Sequence, residues 1–129
     1  DSGKLFPGTK KVLQKLKVRG YRLFLISHGS YPKSLIGDLG IEPFFDKVLI
    51  TSEKNVGEFE KMISKNKLSI KASYVVGDRV KAEIRIGNSL GLRSIWLKKG
   101  LFSEELPENS LETPKYTIYE LGEILEVVL

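Results

Sequence analysis

The sequence contains no cysteine, which excludes a disulfide framework, a thiolate metal site and a cysteine nucleophile, and makes a reducing, cytoplasmic setting the simplest one. No apolar run approaches the ~18 residues of a membrane-spanning helix, and no basic segment followed by an apolar one opens the chain. Neither a membrane span nor a secretory leader is therefore expected. The first residue is Asp1 and not Met, so the sequence is expected to be a fragment of a longer protein. Its 129 residues suffice for one domain and leave no room for two ordinary ones, and a single domain over 1–129 is expected.

Charge is present but unevenly spread. Residues 1–100 hold 20 Lys/Arg against 9 Asp/Glu, a balance of +11, whereas 101–129 hold 1 against 7, a balance of −6. A basic body could attract nucleic acid or anionic substrates. The positive charges are scattered and not clustered beside aromatics, which favours a lysine-rich solvated surface over a nucleic-acid interface.

The apolar pattern changes period repeatedly. Val12, Leu13 and Leu16 share a helical face in a segment that opens after Pro7 and stops at Gly20. Tyr21 to Ser27 reads as a buried strand, Tyr31 to Leu39 as a second helix ended by Gly40, and Lys47 to Thr51 as a second strand. Phe59, Met62 and Ile63 give the stripe of a third helix. Ser73 to Val76 is then a short strand, Val80 to Leu90 a helix and Ser94 to Leu97 another strand. An irregular acidic loop covers Pro107 to Pro114, Tyr116 to Ile118 reads as a last short strand, and Leu121, Ile124, Leu125 and Val128 lie on one face of a closing helix. Strands that are apolar throughout and alternate with helices predict an α/β fold with a Rossmann-like parallel sheet covered on both faces.

Ligands bind such sheets at the carboxyl ends of the strands. Three ends carry chemistry. Ser27-His28-Gly29-Ser30 places a hydroxyl and glycine before a helix, which suits either an anion or phosphate seat or a capping serine. It is no Walker A loop, because the Gly-Lys-Ser/Thr run is absent. Lys54 follows the second strand, either as a point charge for a phosphate or as one more solvated lysine. The third end, Val75-Val76-Gly77-Asp78-Arg79 with Glu83 five residues beyond Asp78, offers two carboxylates suited to a hard cation such as Mg²⁺. The alternative there is a helix-capping Asp78, with Glu83 solvated or paired with Arg79.

Together these residues carry a resemblance. Leu5-Phe6-Pro7-Gly8-Thr9, Leu25-Ile26-Ser27, Gly40-Ile41 with Phe45-Asp46, and Lys54 before Phe59 are matched in order. So is the run from Val76-Gly77-Asp78-Arg79 through Glu83-Ile84, Gly87-Asn88 and Gly91 to Ser94-Ile95-Trp96. In this order they resemble the haloacid dehalogenase-like hydrolases over nearly the whole chain. The resemblance implies that Ser27 hydrogen-bonds the transferring phosphoryl oxygen, with His28 and Gly29 beside it in the phosphate seat. It also implies that Lys54, or Lys61 as the fallback, steadies nucleophile and phosphate charge, and that Asp78 and Glu83 hold Mg²⁺. Glu83 stands where Asp is commoner.

One motif of the family is missing: no Asp-x-Asp occurs among the 129 residues. The resemblance implies that this pair, nucleophile and general acid-base, ends a central strand lying between those that end at Ser27 and Asp78. Asp1 precedes no matching strand and is not assigned that role. The expected protein is thus part of the core of a Mg²⁺-dependent phosphomonoester phosphatase working through an aspartyl-phosphate, with the nucleophile and the cap outside this sequence. A phosphatase is favoured over a dehalogenase by the acidic pair. The expected partners are a small phosphorylated substrate and a second chain or swapped segment supplying the missing strand, unless the strands ending at Ser27 and Asp78 pair directly. The alternative is a catalytically inactive binding or regulatory module of the same fold.

Overall fold

A computed structural model describes residues 8–28 and 39–128, with the side chain of His28 excepted. The expected helix over Tyr31 to Leu39, and the seat residues Gly29 and Ser30, lie outside the described residues. The chain divides into two compact units, Asp1–Glu53 with Leu121–Leu129, and Lys54–Glu120.

In the first unit, α1 (Thr9–Val18) buries Val12 and Leu16, one turn apart, and carries Lys15 and Lys17 in its last turn, where cations suit the helix dipole. Its stop is a glycine for a physical reason. Gly20 has a φ of +93°, and the Gly20 and Tyr21 amides donate to the carbonyls of Lys17 and Leu16 at 2.9 and 3.1 Å, a closure that needs the left-handed region. Strand β1 (Phe24–His28) pairs in parallel with β2 (Lys47–Thr51), Phe24 opposite Lys47 and Ser27 opposite Ile50. Asp46 sets this register: its Oδ2 accepts from the Leu23 amide at 2.7 Å and from Lys17 Nζ at 3.1 Å.

The closing helix is shorter than its apolar stripe predicts. A 3₁₀ turn over Leu121–Glu123 leads into α4, which spans Ile124–Val127 only, and Val128 is already extended. Arg19 Nη1 donates to the carbonyls of Leu125 and Val128 at 2.9 and 3.0 Å, so these acceptors are satisfied without further helical turns. Ile124 and Val128 still reach the core of this unit.

The second unit holds helix α2 (Val56–Lys65), started by Asn55, whose Oδ1 accepts from the Glu58 amide at 3.0 Å. Its sheet is parallel throughout: β3 (Tyr74–Gly77), β4 (Arg93–Leu97) and β5 (Tyr116–Ile118), with β4 in the middle. A middle strand of a parallel sheet is covered on both faces, and Ser94, Ile95, Trp96 and Leu97 are all buried. Between β3 and β4 the chain makes one π-helical turn, Val80–Ile84, before α3 (Arg85–Leu90), where the sequence predicts a plain α-helix from Val80. Such turns are frequent at functional sites. Val80 and Ile84 are fully buried against Trp96.

The glycine and asparagine of α3 serve packing. A Cβ on Gly87 would stand 3.2 Å from the Cβ of Val75 and nearer still to its Cγ1, so helix and strand approach as they do only without a side chain there. Asn88 Nδ2 donates to the carbonyls of Leu111 and Thr113 at 2.8 Å each, and its Oδ1 accepts from Ser94 Oγ at 2.7 Å. This ties down the acidic loop, which includes a 3₁₀ turn at Ser110–Glu112.

All strand pairings are thus parallel, and the fold is α/β as the sequence predicts. The β1–β2 pair belongs to the first unit and the β3–β4–β5 sheet to the second. No helix among them is long and apolar enough to cross a membrane.

Candidate active site

In the second unit, the carboxyl end of β3 brings Lys54, Asp78 and Glu83 together. Trp96, opposite Gly77 in the β3–β4 register, donates Nε1–H to the Asp78 carbonyl at 2.9 Å and fixes the peptide at the strand end. Arg79 is extended, and the helical turns begin only at Val80. The first helical amides are satisfied from a distance. Glu105 Oε1 accepts from the Val80 amide at 2.8 Å, and its Oε2 accepts from Arg79 Nη2 at 2.9 Å. Asp78 therefore does not cap this helix, and Arg79 pairs with Glu105 and not with Glu83, so neither alternative reading of the acidic pair is adopted. No described residue donates a hydrogen bond to the Asp78 carboxylate.

Glu83 sits on the π-helical turn, 8% exposed, and lies back over Gly77. Burial pushes its carboxyl above the usual carboxylate range. Lys54 opposes that shift, the charge of Asp78 adds to it, and amide donors at Arg79 and Glu83 itself oppose it. Lys54 Nζ is 3.6 Å from Glu83 Oε2, an ion pair just outside hydrogen-bonding distance. The lysine side chain is 26% exposed, whereas Lys61, on α2, faces solvent. Of the two lysines, Lys54 is the one paired with Glu83.

Two neighbouring carboxylates with one loosely held lysine leave a negative imbalance that a divalent cation would relieve. Among the described residues no third Asp, Glu, His or Cys joins them. That donor set fits Mg²⁺, which binds through one or two carboxylates and keeps several waters, better than it fits an ion demanding an all-protein cage. Asp78 and Glu83 are the residues that would hold it.

Ser27 belongs to the first unit, where it occupies the penultimate position of β1 and is half-buried. The seat residues that follow it fall outside the described set. What the sequence reading missed is Glu105. It lies 26 residues beyond Arg79 in an irregular stretch, and no local pattern sets it apart from Glu104 beside it.

A model of the haloacid dehalogenase-like hydrolases matches residues 1–91 of the chain. The glyceraldehyde 3-phosphate phosphatase of Pyrococcus furiosus is 30% identical over 95% of this chain and 53% of its own length. The enzyme of the same name from Methanocaldococcus jannaschii is 31% identical over 95% of this chain and 56% of its own. Among solved structures, the HAD hydrolase YfnB of Bacillus subtilis, solved bound to magnesium, superimposes with a TM-score of 0.82 at 20% identity, over 98% of this chain and 57% of that one, a likeness of fold. The chain spans about half the length of the curated relatives it matches.

Proposed function

Because the chain belongs to the haloacid dehalogenase-like hydrolases, we propose that it forms part of the core of a Mg²⁺-dependent phosphatase acting on a small phosphomonoester. The observation that carries this reading is the assembly of Lys54, Asp78 and Glu83 at the end of β3, with Glu83 buried over Gly77. Burying a carboxylate beside another carboxylate costs stability, and such arrangements are kept where they serve a site. Asp78 and Glu83 hold the cation, which supplies charge neutralisation at the phosphoryl group. Lys54 steadies the charge of nucleophile and phosphate. Ser27 donates its hydroxyl hydrogen to a phosphoryl oxygen, with the His28 and Gly29 backbone completing the phosphate seat. Positioning and electrostatics of this kind make up most of phosphoryl-transfer catalysis.

The nucleophilic aspartate, attacking phosphorus to give an aspartyl-phosphate, comes from residues outside this sequence. β3 supports that reading. It is an edge strand of its sheet among the described residues, so its outer side offers a place for a further strand. The remainder of the protein, a second chain or a swapped segment would supply that strand. The relatives' names suggest a phosphorylated metabolite as substrate.

The test is hydrolysis of p-nitrophenyl phosphate by the full-length protein. Turnover that is abolished by EDTA and restored by Mg²⁺ supports the proposal, and no turnover with any divalent cation overturns it. A second reading, an inactive module that binds a phosphorylated ligand, is favoured by one observation, the lack of Asp-x-Asp among these residues. It requires that the complete gene also lack that motif, so reading the gene separates the two.

A further inference from the structure

We infer that Glu105 is a positioning residue for the cation site, keeping two competing donors away from Asp78 and Glu83. The inference rests on the functional reading above. A helix leaves its first amides without partners, and a nearby aspartate is their usual acceptor. Asp78 is the acid nearest the start at Val80, and a freely turning Asp78 would be drawn onto those amides and away from a metal. Glu105 occupies them instead, accepting from Val80 at 2.8 Å and from Lys81 at 3.4 Å.

The second competitor is Arg79, the residue after Asp78. Its guanidinium would pair with either site carboxylate and displace a cation from it. Glu105 Oε2 holds it at 2.9 Å, and the guanidinium lies over the Phe102 ring at 4.3 Å. Glu105 is itself held, because its amide donates to the Phe102 carbonyl at 3.1 Å and its side chain is only 9% exposed. One carboxylate from the loop after β4 thus takes the helix amides and the arginine together. Asp78 is left with no hydrogen bond from a described residue. Glu105 touches neither substrate nor metal; it acts through what it removes from competition.

The experiment measures Mg²⁺ affinity of the full-length protein by titration calorimetry, with thermal melts to confirm folding. Glu105→Ala should weaken Mg²⁺ binding by about tenfold, the lower end for residues that orient metal ligands. Adding Arg79→Ala to it should recover part of that affinity, because the freed arginine is then gone. Glu105→Gln, which keeps an acceptor for Val80 but loses its charge on Arg79, should be intermediate, and it decides the matter where Glu105→Ala fails to fold. A role confined to stability would lower the melting temperature and leave Mg²⁺ affinity alone. Unchanged affinity in the folded variants, or a weakening that Arg79→Ala does not relieve, overturns the inference. Absence of Mg²⁺ binding by the unsubstituted protein instead overturns the functional reading, and this inference with it.

Discussion

Glu83 folds back over Gly77 so closely that a Cβ built on the glycine would stand 2.5 Å from its Oε1 and 2.7 Å from its Cγ. The φ of Gly77 is not positive, so what the position requires is the missing side chain and not a left-handed backbone. Gly77→Ala should therefore push the carboxylate off the end of β3. We expect a stability loss of about 1–3 kcal/mol, as for other overpacked sites, accompanied by weaker Mg²⁺ activation. Denaturant melts and a Mg²⁺ titration of turnover check both halves. A variant with wild-type metal dependence would show that Glu83 need not sit there.

Removing the charge of Glu83 should separate stability from activity. Its carboxyl is buried, with Lys54 as its nearest cation and Asp78 adding repulsion, so the charged form is held at a cost. Glu83→Gln keeps the shape and removes that cost. The variant should melt at or above the wild-type temperature, by up to about 2–4 °C for a gain near 1 kcal/mol, while Mg²⁺-dependent turnover collapses. A lower melting temperature would mean that the Lys54–Glu83 pair stabilises the fold.

Lys54 and Lys61 are seven positions apart and alike in sequence, but only Lys54 reaches Glu83. Lys54→Ala should reduce kcat by about a hundredfold, the usual scale for losing one charge-stabilising group, and Lys61→Ala should leave it near wild type. Steady-state kinetics of both variants decide it, and equal losses would remove Lys54 from the site.

Asp46 gives the pH dependence of the first unit. The Leu23 amide, chiefly, holds its carboxyl below the usual range; burial opposes that shift, and Lys17 and Arg22 add to it. A carboxyl lowered on folding contributes stability above its unfolded value of about 3.9, and that contribution is lost as pH falls through the lowered value. Asp46→Asn should thus melt below wild type at pH 7, with the gap closing under acid. Melts between about pH 7 and pH 3 measure it, and a gap that widens with acid would contradict the assignment.

Much of the architecture was legible in the chain. The span Lys47–Thr51 is the strand its apolar Val48-Leu49-Ile50 run predicts, and Tyr116–Ile118 is the short strand expected, with Ile118 buried and Thr117 exposed. Gly20 and Gly91 mark helix ends where left-handed φ values are required. The closing helix was overestimated because periodicity records which residues face the core and says nothing of where the carbonyls find donors. Arg19 supplied them from α1. The π-helical turn at Val80–Ile84 was invisible for a similar reason, since a one-residue change of helical register leaves buried Val80, Ile84 and Ile86 on an acceptable pattern.

For the site, residue order alone shows which chemistry is present: a hydroxyl at Ser27, a cation at Lys54 and a carboxylate at Asp78, each near a strand end, with a second carboxylate, Glu83, on the helical turn that follows. Local order is enough for that, because turns after strands are written in glycine and short polar residues. Tertiary structure alone decided which lysine meets which acid, that Glu83 is buried and not solvated, and that Arg79 turns away from both carboxylates. Those outcomes depend on Trp96, Phe102 and Glu105, brought to the end of β3 by the β3–β4 pairing and the loop that follows it. Contacts between residues 18 to 26 positions apart leave no periodic trace in a sequence, and they are what sets the charge balance of this site.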